Sequence, residues 1–129
     1  MKRLLLSRFL FLIICALFIA NANQTYARDG IFAGPGHGGR IIIKRSPVLG
    51  VNVSVVIYID GQVAGTLVRA REFDEYITSG RHVLVASPNN LRGDWHGIID
   101  VRPGHTIKYI ATYNVSKLVL NRVHHHHQH

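Results

Sequence analysis

The sequence predicts an all-β protein, a small antiparallel β-sandwich of about seven strands behind an N-terminal signal peptide. Three observations carry this expectation. Apolar and polar residues alternate with period two over several short stretches. Turn-forming pairs, Asp60-Gly61, Ser79-Gly80 and Pro103-Gly104, recur between those stretches. No segment after residue 27 keeps a helical period.

The N-terminal segment has the order of an export signal. Lys2, Arg3 and Arg8 make a positive opening, residues 9–20 (FLFLIICALFIA) are apolar, and small or polar residues (ANANQTYA) follow. The apolar stretch falls short of the ~20 residues that cross a bilayer, so no transmembrane anchor is expected after cleavage. Ala22 and Ala27 both satisfy the small-residue rule for cleavage, and we place the signal at residues 1–27. Cys15 lies inside it behind Ile14, which is not the small residue a lipoprotein signal places there. The mature chain then has no cysteine, which excludes disulfides, thiol catalysis and thiolate metal sites.

Of the 15 Lys and Arg residues, Lys2, Arg3 and Arg8 leave with the signal, so the remainder keeps 12 against 7 Asp and Glu. A basic exported protein points to anionic envelope polymers or another envelope protein as partners. Export argues against nucleic acid. The expected location is the bacterial periplasm or the exterior.

Residues 28–39 (RDGIFAGPGHGG) are glycine-rich and read as a flexible lead-in to a domain at 40–123. RIIIKRS reads as a strand. In VNVSVVIYID, Val51, Val53, Val55, Ile57 and Ile59 share one face, and Asp60-Gly61 is a hairpin turn returning into QVAGTLV. RAREFDEYI reads as a charged connection, RHVLVAS as a strand and PNNLRGD as a loop. WHGIIDV places Trp95, Gly97, Ile99 and Val101 on one side. HTIKYIATYNV aligns Ile107, Tyr109, Ala111, Tyr113 and Val115, and KLVLNRV closes the sheet.

Three stretches, VVIYIDGQVAGTL, FDEYITSGRHVLVAS and IDVRPGHTIKYIATY, together resemble the PEGA-type and related small sandwich domains of exported bacterial envelope proteins. The match covers about residues 51–113. The resemblance implies a non-catalytic envelope module with no catalytic residues. It also implies that Asp60, Gly61, Gly80 and His82 are turn and packing positions.

The chain ends in NRVHHHHQH. His124, His125, His126, His127 and His129 are candidate ligands for Zn, Cu or Ni, since neutral imidazole suits all three. Such a tail, residues 124–129, would release metal as its imidazoles protonate below about pH 6.5. His37, His82, His96 and His105 lie in separate turns and strands without metal-ligand spacing. Asp94 and His96 share a face if GDWHG is extended, and Ser87 completes a triad on paper only. Glu72, Asp74 and Glu75 read as a solvated, salt-bridged connection rather than a glycosidase pair. Trp95, with Arg92, Asn89, Asn90 and His96 around it, is the candidate ligand platform. The place of Trp95 on the apolar side of its strand favours core packing instead.

The expectation is therefore a non-catalytic binding or structural module of the envelope, without catalytic residues. Metal capture by the histidine tail is the first alternative, and a hydrolase of envelope polymers a distant one.

Overall fold

A computed structural model describes residues 30–124. Among these, eight strands form two four-stranded sheets. The strands are β1 (Gly38–Arg45), β2 (Val55–Ile59), β3 (Gln62–Leu67), β4 (Phe73–Thr78), β5 (Gly80–Pro88), β6 (Trp95–Val101), β7 (Thr106–Asn114) and β8 (Lys117–Arg122). One sheet has the order β4-β1-β7-β8 and the other β3-β2-β5-β6. Each neighbouring pair is antiparallel except β1 and β7, which run parallel with Ile41 opposite Ile107 and Ile43 opposite Tyr109.

Period-two alternation explains how the sheets close on one another. Ile41, Ile43, Ile77, Tyr109, Ala111 and Leu120 of the first sheet join one buried cluster with Ile57, Ile59, Leu84, Ala86 and Ile99 of the second. Leu49, in a single 3₁₀ turn at Pro47–Leu49, is 1% exposed and plugs one end of that cluster. The hairpin at Asp60-Gly61 forms as expected, with both residues at positive φ (52° and 78°). Pro103-Gly104 makes its turn with Gly104 at φ 72° and the His105 N–H donating to the Arg102 carbonyl.

The structure corrects the expectation in three places. There are eight strands rather than seven, because residues 73–78 of the charged connection form β4. Phe73 and Ile77 face the core there, while Asp74 and Tyr76 face out. An edge strand rich in carboxylates hides its apolar period yet resists pairing with other chains.

The lead-in, over its described residues, belongs to the sheet. Ile31 is buried, the Ala33 N–H donates to the Tyr76 carbonyl (2.9 Å), and the Thr78 N–H donates to the Ile31 carbonyl (3.0 Å). Strand β1 begins at Gly38 rather than Arg40, and Gly38 and Gly39 are both buried. A Cβ on Gly39 would stand 2.5 Å from Val101 Cγ1 and 2.8 Å from the Arg102 carbonyl. Glycine here permits close approach of backbone, the opposite of a linker role.

The third correction concerns two valines: Val51 lies in the loop before β2, which begins only at Val55, and is exposed, and Val115 leaves the common face of β7. Val115 and Ser116, at φ 45° and 69°, form a two-residue turn between Asn114 and Lys117.

Strand directions sort the connections into two ends. The near end, where β1 and β7 start, holds Asp60-Gly61, Ser79 and residues 102–105. The far end holds residues 46–54, 68–72 and 89–94 and the Val115-Ser116 turn. Among the described residues no helix is long and apolar enough to cross a membrane.

Candidate functional site

The far end is built around Arg45. Strand parity points this residue inward with Ile41 and Ile43, where the core stops. Its guanidinium donates to the carbonyls of Val53 and Gly50 and reaches that of Leu67 at 3.5 Å. A planar fork of donors suits several carbonyls at once, so the side chain holds the 50–54 loop against the end of β3. Asn89 fixes the other flank of that loop: its Oδ1 accepts from the Ser54 N–H at 3.0 Å. Asn90 Nδ2 donates to the Asn52 carbonyl at 2.9 Å.

Between the 46–51 loop and the 68–72 turn runs a shallow cleft. One part, about 290 Å³, is lined by Arg45, Ser46, Pro47, Gly50, Val51, Arg69 and Ala70. An adjoining part, about 440 Å³, shares Arg45 and Ala70 and adds Lys44, Arg71 and Glu72. Ala70 sits at φ 61°, which places Arg69 and Arg71 on either side of a left-handed residue.

Charge gathers at this end. Lys44, Arg45, Arg69, Arg71, Arg92 and Lys117 face only Glu72 and Asp94. Lys44 approaches Glu72 at 3.6 Å, and Arg45 is committed to carbonyls. Arg69, Arg71, Arg92 and Lys117 are exposed and have no ion-pair partner among the described residues.

The near half of the molecule balances its charges better. Arg40 makes a two-point ion pair with Asp74, Nε to Oδ1 at 2.8 Å and a terminal nitrogen to Oδ2 at 2.6 Å. The hydrogen bond from Arg40 holds the Asp74 carboxyl below the usual carboxylate range, against a smaller desolvation effect.

The expected platform residues are partly dispersed. Trp95 is half-buried, packs on the core edge-on to Tyr109 (centroids 5.9 Å apart, 61° between planes) and lies over Gly97. Asn89 and Asn90 spend their side chains on the 52–54 loop. Arg92 is exposed in the 89–94 loop. His96 is exposed and, by strand alternation, points away from the face of Trp95. Ser87 Oγ donates straight to Asp94 Oδ1 at 2.7 Å, with no imidazole between them. His124 is exposed just beyond β8, and His125, His126, His127 and His129 lie outside the described residues. Among the described residues no three His, Cys, Asp or Glu side chains cluster as metal ligands.

Two features escaped sequence reasoning. Arg69 and Arg71 were legible as RAR between two strands, but only the cleft joins them to Arg45. The other is a buried clamp: His82 Nδ1 meets Asp60 Oδ2 at 2.5 Å and its Nε2 meets the Thr78 carbonyl at 2.7 Å. The two ring nitrogens thus link the carboxylate of the β2–β3 turn to the end of β4. Asp60 Oδ1 also accepts from the Val83 N–H at 2.9 Å. Desolvation raises the Asp60 carboxyl, but the Val83 N–H and His82 outweigh it and leave it below its ordinary range.

No protein-family model, curated protein or solved structure matches this chain.

Proposed function

We propose that this chain is a non-catalytic exported module of the bacterial envelope whose far end binds anionic envelope components. The observation that supports this reading most directly is the gathering of six cations against two anions at one end of the sandwich. Four of those cations have no ionic partner among the described residues; Asn89 and Asn90 pin the loop that carries Arg92, and Arg45 reaches the Leu67 carbonyl just ahead of Arg69 and Arg71. Long flexible cations on a fixed scaffold suit a polyanion without fixed geometry. The order of charged, apolar and small residues at the N-terminus and the resemblance to PEGA-type domains support a location in the periplasm or outside the cell.

Retention on an immobilised acidic polymer tests the reading. Protein expressed with its own signal and recovered from the periplasm is expected to bind and to elute as salt rises, since screening shortens to about 3 Å at 1 M. Replacing Arg69, Arg71, Arg92 and Lys117 together by Ser should abolish retention. Replacing the near-end Arg81 and Arg102 should leave it nearly unchanged. Equal loss from both sets would mean that net charge alone is at work, and the proposed site would fall.

The histidine run supports a second reading, capture of Zn, Cu or Ni by the tail that follows β8. Calorimetric titration of each ion should then show stoichiometric binding that disappears in a chain ending at Val123. Binding retained by that shorter chain would remove the tail from consideration.

A further inference from the structure

Beside its charge, the far end displays apolar side chains that the core does not claim. Val48, Val51, Val68 and Val115 are 67%, 58%, 36% and 90% exposed, and all four stand on far-end connections. The near-end connections at 60–61, 79 and 102–105 carry no exposed large hydrophobic residue. Exposed valines on connections therefore belong to one end, the end with six cations against two anions, whereas Val63, Val83, Ile98, Ile110 and Val123 are exposed on strands or just after β8.

Val115 is the most informative of the four. A β-branched residue at φ 45° is sterically disfavoured, and the two-residue hairpin turn it occupies ordinarily takes Asn, Asp or Gly. Being exposed, Val115 recovers none of that strain through burial in this fold. Strain kept at an exposed tip points to a partner that rewards apolar contact. Val51 adds a second observation, since it lines the same cleft as Arg69. An apolar tip and a cation thus address one patch of whatever docks there.

Resting on the reading above and narrowing it, we propose that the anionic component is a phospholipid surface. The valines enter the boundary between headgroups and acyl chains, while Arg69, Arg71, Arg92 and Lys117 meet headgroup phosphates. A hydrated acidic polysaccharide also attracts the cations but offers the valines no apolar medium. Reversible attachment to a bilayer takes two modest signals acting together, shallow apolar insertion and electrostatic attraction, and the far end supplies both. Four loops contribute, so no amphipathic helix is needed.

Flotation with phosphatidylcholine vesicles, with and without phosphatidylglycerol, tests this on the periplasmic protein. Binding is expected only with the anionic lipid, weakening about fivefold for each of the four cations removed. Val115→Asn is the discriminating variant, because Asn suits the turn: its melting temperature should hold or rise while vesicle affinity falls by up to about tenfold. Val48→Ser with Val51→Ser should weaken binding similarly, with the fold checked by circular dichroism. If Val115→Asn and the double variant bind vesicles as the parent does, or if the protein is retained on acidic polymer and ignores vesicles, the lipid assignment is overturned while the broader reading stands. Failure to bind either probe overturns both.

Discussion

His82 shows how a single side chain ties two sheets together. It is the third residue of β5 in the second sheet, yet its Nε2 contacts the carbonyl of Thr78, the last residue of β4 in the first. Asp60, in the β2–β3 turn, holds the other ring nitrogen. The carboxyls of Asp60 and Asp74 are both depressed below the ordinary 3.8. Groups bound more tightly as anions in the folded state stabilise it above their unfolded pKa. That contribution fades as pH falls through the depressed folded values. Denaturant midpoints are therefore expected to drop as pH falls below 3.8. Asp60→Asn should be less stable at neutral pH and flatten the acid limb. An unchanged acid limb would show that Asp60 is not ionised in the clamp.

At the scale of elements, β1 decides most of the architecture. It is central to its sheet, pairs antiparallel with β4 and parallel with β7, and so links segments far apart in sequence. Its first two residues are glycines because a Cβ at Gly38 would run into the Ile77 backbone and one at Gly39 into the Val101 side chain and the Arg102 carbonyl. Gly39→Ala is expected to cost about 1–3 kcal/mol through overpacking, read from the urea midpoint at constant slope. A neutral result would mean that the near end yields easily. The same strand shows where local reading stops. GPGHGG has the composition of a linker, and only tertiary contact turns Gly38-Gly39 into strand. Likewise EFDEYI has two core residues among carboxylates, too few to show a period.

Across the whole molecule, two opposite ends have been given different surfaces. The near end pairs Arg40 with Asp74 and His82 with Asp60. The far end sets six cations against only Glu72 and Asp94, and exposes four valines on its connections. A connection that serves only to join strands gains nothing from either choice, which is why the proposed contacts lie there.

Alternation and turn chemistry determined the strands β2, β3 and β5 to β8 from the sequence alone, because a half-buried strand must alternate and a tight hairpin needs residues that accept positive φ. Composition likewise determined the basic character and the histidine run. The candidate site was legible only in fragments: RAR, PNNLRG and single valines, each ordinary where it stands. Pairing between distant strands decided the rest. It carried Arg45 to the carbonyl of Leu67, set Asn89 against Ser54, and turned Trp95 onto Tyr109. Which end gathers charge depends on the direction in which each strand crosses the sandwich, and strand direction is a property of the packed sheets rather than of any local stretch of sequence.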